Sequence, residues 1–202
     1  MDGLWQVLQQ LMHGTYDEAW IAGLAAHVIT RNTHAVVAHH GDVSALCQVI
    51  DFTHVGSIKD PWAGIGIHSV CDVLGREHGM QVVTNGPGPG QMSHLHPLHP
   101  RTYDAMGACD AIITCPWTVW ADTALSMAML YARMVVCMLV PSSYVRSMHG
   151  PRATLVDQLR EAGRLVVLDH LAPDVNGYRN LWVVVFMDRN TKTLLMGPSR
   201  VW

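Results

Sequence analysis

Asp60-Pro61-Trp62-Ala63-Gly64-Ile65-Gly66 is the stretch on which the reading of this chain turns. It follows a short apolar segment, Val55 to Lys59, and opens into a helical pattern over about Ile67 to Glu77. A carboxylate at a strand end, two positions without side chains and a helix start form a suitable cradle for a small ligand. Gly64 and Gly66 allow close approach to the backbone, and the helix N-terminus offers free N–H groups. Asp60 offers a carboxylate to an ammonium or hydroxyl group. No Gly-Lys-Ser/Thr follows, which argues against a P-loop, and the dinucleotide fingerprint G-x-G-x-x-G is incomplete. Spacing alone leaves open a plain glycine-softened turn between strand and helix.

Outward from this loop the chain alternates strands and helices. Met80 to Thr84 reads as a strand that stops at the loop Asn85-Gly86-Pro87-Gly88-Pro89-Gly90. Ala111 to Thr114 is the next strand, ended by Cys115-Pro116-Trp117. A helix over Asp122 to Arg133, a valine-rich strand from Met134 to Val140 and helical segments near Ser143–Met148 and Arg152–Ala162 follow. Gly163 closes the last of these, and Leu165 to Leu168 and Leu181 to Met187 are further strands. Strands alternating with helices predict a doubly wound α/β fold, its sheet parallel or mostly parallel with helices on both faces. The last strand follows a loop rather than a helix and is expected to run antiparallel at the sheet edge. Before residue 51 the pattern is helical, over residues 3–12, 16–30 and 43–50. The expected organisation is therefore an N-terminal helical extension, 1–50, and a main domain, 51–202.

Composition narrows the possibilities. Of 202 residues half are hydrophobic and 14% are charged, against about 25% charged in ordinary soluble domains. Disorder is excluded by this apolar content, and a strongly basic nucleic-acid clamp by the net charge of −3. The charge is asymmetric. Residues 1–130 carry four Lys/Arg against eleven Asp/Glu, a balance of −7, whereas residues 131–202 carry nine against five, a balance of +4. The basic C-terminal third is compatible with a polyanionic partner and equally with solvated arginines. The longest apolar stretch, Ala124 to Val140, is interrupted by Arg133 and is short for a membrane span; no membrane association is expected. The first residues lack the basic start and apolar core of a signal peptide. Five cysteines, odd in number and without a C-x-x-C pair, point to a reducing intracellular compartment, cytoplasm or nucleus.

Asp60 to Gly66 resembles the D-P-[FW]-x-G-x-G motif of class I S-adenosylmethionine-dependent methyltransferases, specifically those acting on exocyclic amino groups of DNA bases. Further landmarks come in the family's order over about residues 53–187. Val82-Val83-Thr84-Asn85 stands at the end of the family's second strand. Ala111-Ile112-Ile113-Thr114-Cys115-Pro116-Trp117 stands at its catalytic motif, and Val135 to Pro141 at the following strand. Gly177 to Phe186 resembles the end of the adenine-methyltransferase-like domains of DIRS-type retrotransposons.

The resemblance implies a Rossmann-like fold, S-adenosylmethionine as cofactor and a nucleic-acid partner, DNA rather than RNA. It places Asp60, Trp62, Gly64, Gly66, Asn85 and Gly86 at the cofactor, and Thr114, Cys115, Pro116 and Trp117 at the target base. In that family the first motif residue and a following carbonyl accept hydrogen bonds from the amino group, and the aromatic stacks on the flipped base. Direct methyl transfer to N6 of adenine or N4 of cytosine follows.

This sequence departs from the pattern at three points. Thr114 is a weak substitute for Asn, Asp or Ser, and Cys115 replaces the first proline; an alternative alignment puts Cys115 in the polar position. Gly86 stands where the family has the acid that binds the ribose hydroxyls, a contact whose loss costs about 1–3 kcal/mol. The alternative function is therefore a catalytically inactive domain of this fold that binds or scaffolds. The run His94-Leu95-His96-Pro97-Leu98-His99 invites a zinc reading, but no Cys or carboxylate at ligand spacing completes it. It reads better as a polar loop, and no metal is expected. Cys115 as a thiol nucleophile has no identifiable base. Arg146, Arg152 and Arg179 are candidate phosphate contacts or, more simply, solvated side chains.

Overall fold

A computed structural model describes residues 40–62, 74–75, 78–85, 100–116, 118–146, 151–169 and 179–197. The helices expected over residues 3–12 and 16–30 and most of the one over 67–77 lie outside these residues, as do the loop from Gly86 and the histidine run. Six strands form one sheet: β1 (Ile58–Asp60), β2 (Val82–Thr84), β3 (Cys109–Thr114), β4 (Ala132–Pro141), β5 (Leu165–Leu168) and β6 (Asn180–Phe186), in the order β2-β1-β3-β4-β6-β5. The pairs β1–β2, β1–β3 and β3–β4 are parallel, and β6 is antiparallel to both neighbours. The sheet is thus mostly parallel and doubly wound, as the alternation of strands and helices predicts.

The helices bounded among the described residues are α1 (His40–Val49), α2 (Pro100–Met106), α3 (Ala121–Tyr131), α4 (Ser142–Arg146), α5 (Pro151–Glu161) and α6 (Arg189–Met196). They cover both faces because the central strands are apolar on both. In β4, Val136, Met138 and Val140 face one core with α3's Ala121, Ala124, Leu125 and Ala128. Their alternates Val135, Cys137 and Leu139 face a second core with α1's Val43 and Leu46, with Ile50 just after that helix, and with α6's Leu195. Period-two alternation sends successive side chains to opposite faces, so a continuous valine-rich run requires two cores. Residues 40–50 are part of this packing, and the fully buried Trp182 of β6 donates from Nε1 to the Asp42 carbonyl at 2.8 Å.

One expectation is corrected. The last strand runs antiparallel, but it is inserted between β4 and β5 and is not at the edge. All seven of its residues are buried, whereas each residue of the four-residue β5 is only half-buried. A long apolar strand buries more surface with a neighbour on each side, which leaves the edge to the short one. Two helices, α2 and α6, fall in stretches to which the sequence assigns no element; they span seven and eight residues, too few turns for a periodic pattern to stand out. Gly107, at φ +68°, and Gly163, at φ +67°, end α2 and α5 in the left-handed region that favours glycine.

Candidate functional site

The chain goes from β1 to β2 on one side and then returns to place β3 on the other side of β1. At such a switch point the connections diverge, and a crevice opens beyond the carboxyl ends of the two adjacent strands. Asp60 ends β1 and Thr114 ends β3, so the two segments singled out in sequence meet there.

Their contact is direct. The Thr114 hydroxyl donates to Asp60 Oδ1 at 2.7 Å, and the same oxygen accepts from the Trp62 backbone N–H at 3.0 Å. Asp60 is 2% exposed and Thr114 is fully buried. A buried carboxylate is costly unless hydrogen-bonded, and hydrogen bonds to an ionised acceptor are among the stronger ones. The turn after β1 is held from the other side by Asn85. Its backbone N–H donates to the Asp60 carbonyl at 3.1 Å, and its side-chain Nδ2 to the Pro61 carbonyl at 3.1 Å. Asn85 is therefore a buried brace between the ends of β1 and β2.

Trp62 is buried in the core that contains Tyr103, Ile112, Trp120 and the inner face of α3. Burial also pushes the Tyr103 phenol well above its ordinary range. Cys115 is half-buried against the opposite core and Pro116 is buried. Thr114 and Cys115 thus belong to opposite sides of the sheet end, as alternation requires. Gly64, Gly66, Gly86 and Trp117 lie outside the described residues.

Beyond β3, a polar cluster that the sequence did not reveal joins three helices. Asp122, in the first turn of α3, accepts from Arg152 Nε at 2.8 Å and Nη2 at 2.7 Å, and from the Tyr144 hydroxyl at 2.7 Å. The guanidinium also lies 4.3 Å from the centre of the Tyr144 ring. Arg152, a candidate phosphate contact in sequence, is thereby committed to Asp122. The exposed Arg146 and Arg179 flank the same end of the paired strands β4 and β6. Arg146 ends α4, directly after β4; Arg179 precedes β6, and its carbonyl accepts from the Ser142 N–H at 2.8 Å. No group of three or more His, Cys, Asp or Glu side chains that could hold a metal occurs among the described residues. Nor is any helix among them long and apolar enough to cross a membrane.

No family model matches the chain, and no curated protein matches it. Several solved structures are similar in shape. An O-methyltransferase from Bacillus cereus, in complex with SAH, is 11% identical over 85% of this chain and 92% of its own, with a TM-score of 0.44. A SAM-dependent O-methyltransferase from Thermotoga maritima is 12% identical over 80% and 70%, with a TM-score of 0.45. The O-methyltransferase TomG from Streptomyces achromogenes, in complex with SAM, is 11% identical over 89% and 94%, also at 0.45. The fold assignment itself follows from strand order and direction. A mostly parallel sheet with an antiparallel strand inserted next to its last edge, wound by helices on both faces, is a doubly wound, Rossmann-like fold.

Proposed function

We propose that this chain is an S-adenosylmethionine-dependent methyltransferase whose acceptor is an exocyclic amino group of a nucleic-acid base, in DNA rather than RNA. The observation that carries the reading is the hydrogen bond between Thr114 and Asp60, 54 residues apart, at the switch point of the sheet. It links Asp60 of the first segment singled out in sequence to Thr114 of the second.

The residues fit the amino-acid end of the cofactor. Asp60 supplies a carboxylate for its ammonium at the end of an interior strand, with Gly64 and Gly66 following in sequence. At the end of β2, Thr84 and Asn85 offer the ribose neutral groups in place of an acid. Bound S-adenosylmethionine supplies a methyl group already activated on a sulfonium. The protein's part is then to place the acceptor nitrogen and exclude water. Pro116 fixes its own φ and biases Cys115 towards an extended backbone, which holds the Cys115 carbonyl in one direction for an amino N–H. Because the Thr114 hydroxyl is given to Asp60, the polar position of the motif falls to Cys115, and Trp117 is the stacking aromatic. Arg146 and Arg179, exposed at one end of the β4–β6 pair, are the candidate contacts for backbone phosphates and suit the basic balance of the C-terminal third.

One observation favours a second reading, a binding or scaffolding domain without catalysis. Asp60 is almost fully buried and Oδ1 already accepts two hydrogen bonds, while Gly86 provides no ribose acid.

Isothermal titration with S-adenosylmethionine tests the cofactor, and transfer of labelled methyl into unmethylated DNA tests the reaction. Saturable binding with Kd below about 1 mM, equivalent to about 4 kcal/mol, together with label in adenine or cytosine, is the expected result. Binding without transfer favours the scaffold. Absence of binding overturns the methyltransferase. Gly86→Asp is expected to tighten binding by restoring a ribose acceptor.

A further inference from the structure

We infer that the groove between the C-terminal ends of α1 and α6 is a binding site for a small organic cation, an ammonium group carried on an apolar body. The groove lies on the second face of the sheet and encloses about 500 Å³, inside the range of about 300–1,000 Å³ usual for small-molecule sites. It is remote from the crevice at Asp60. The turn Phe52–His54 leads into β1, and His78 and Met80 precede β2. The groove therefore lies towards the amino ends of these parallel strands, whereas the crevice lies beyond their carboxyl ends.

Its floor is apolar and its rim is negative. Ile50, Phe52, Leu195 and Met196 are buried in its lining, while Leu194 at the rim is 48% exposed. An apolar body laid in the groove covers that side chain. The last turns of α1 and α6 both line the groove, and neither contains Lys, Arg or His. A helix C-terminus carries partial negative charge on carbonyls without intrahelical partners, and a cation beside it is favoured. Two such ends converge here, and Asp51 adds a full charge. The Thr53 hydroxyl and backbone N–H donate to Asp51 Oδ1 at 2.6 and 2.9 Å. These bonds hold the carboxyl below its ordinary value of 3.8, so the exposed Asp51 is ionised at neutral pH. The Asp51 N–H donates to the Leu195 carbonyl at 2.7 Å and ties the two walls together. Walls and carboxylate are thus held before a ligand arrives, so less freedom is lost on binding. No Lys or Arg is among the lining residues, whose other titratable side chains are Cys47 and His78; His54 adjoins them in the turn.

The full chain is titrated at pH 8 and low salt, where an alkylammonium is charged and a free imidazole is neutral. Three probes share one body and differ in charge: phenylbutylamine, phenylbutanol and phenylbutyrate. The amine is expected to bind saturably with a Kd of about 1 mM or below, about tenfold tighter than the alcohol, and the butyrate more weakly than either. Asp51→Asn keeps an acceptor for Thr53 and removes the charge. It should bring the amine to the affinity of the alcohol and leave the alcohol unchanged. Leu194→Ser removes apolar surface at the rim and should weaken amine and alcohol alike, by about threefold. Bound amine should also slow iodoacetamide modification of Cys47, which lines the groove, and leave Cys115 as reactive as before. Both substitutions fall at exposed positions, and circular dichroism verifies that each variant is folded. Absence of saturable amine binding, butyrate binding as tight as that of the amine, or an amine affinity unchanged in both variants overturns the inference. None of these results bears on the methyltransferase reading, since the site is separate from the crevice.

Discussion

Arg152 donates two parallel hydrogen bonds to the carboxylate of Asp122, and the Tyr144 hydroxyl completes the cluster. The pair is about three-quarters buried on each side, at 25% and 21% side-chain exposure. Arg152→Ala removes the cation and leaves Asp122 and Tyr144 to find other partners. It is expected to lower stability by about 1–3 kcal/mol, read as a lower urea midpoint. Arg152→Lys should recover part of this, since it restores charge without the planar fork. Burial separates the cysteines in the same way. It pushes the Cys109 thiol up to about 11 and raises Cys137 further, while Cys47 and Cys115 are half-buried. Because the thiolate is the reactive form, iodoacetamide at pH 8 should modify Cys47 and Cys115 ahead of Cys109 and Cys137 in the native chain. Peptide mass spectrometry checks the order, and denaturation should abolish it. A sequence identifies an arginine or a thiol, but its reactivity depends on neighbours brought from other elements.

At the scale of elements, α6 begins with a side-chain cap. Asp188 accepts from the Thr191 N–H at 2.7 Å and from its hydroxyl at 3.1 Å. The Thr191 backbone hydrogen bond holds the Asp188 carboxyl below its ordinary value of 3.8. A depressed carboxyl contributes stability that is present above 3.8 and is lost as pH falls through the lower folded value. Asp188→Ala should therefore melt at a lower temperature than the unaltered chain at pH 6, and the gap should narrow as pH falls below 3.8. Asp188→Asn, which retains a cap acceptor, should lie closer to the unaltered chain at pH 6. The cap and Thr191 were present in the sequence, but α6 shows its apolar side only at Leu195 and Met196 near its end. Periodicity needs several turns to be read, and this helix is short. The valine-rich strands β4 and β6 and the segment ending in Thr114 were legible because apolar runs bounded by Pro, Gly or Asn leave few alternatives.

For the whole molecule, the two cores make the preceding helix part of the fold. Val43, Leu46 and Ile50 are buried to within 1% and pack with Trp182, Val184 and Phe186 on the second face of the sheet. Burial of three such side chains contributes about 5–8 kcal/mol, comparable with the total stability of a domain. A chain beginning at residue 51 is expected to lose cooperative thermal unfolding, as followed by circular dichroism, whereas the full chain should retain it. The alternation of strands and helices, and a carboxylate followed by glycines where a strand gives way to a helix, were determined by the sequence itself. Both are local properties, carried by neighbouring residues whatever the rest of the chain does. The insertion of β6 between β4 and β5, the commitment of Arg152 to Asp122 and the meeting of Thr114 with Asp60 were decided by tertiary structure. Each joins segments distant along the chain, and only the competition for burial and for hydrogen-bond partners selects among the pairings that the residues permit.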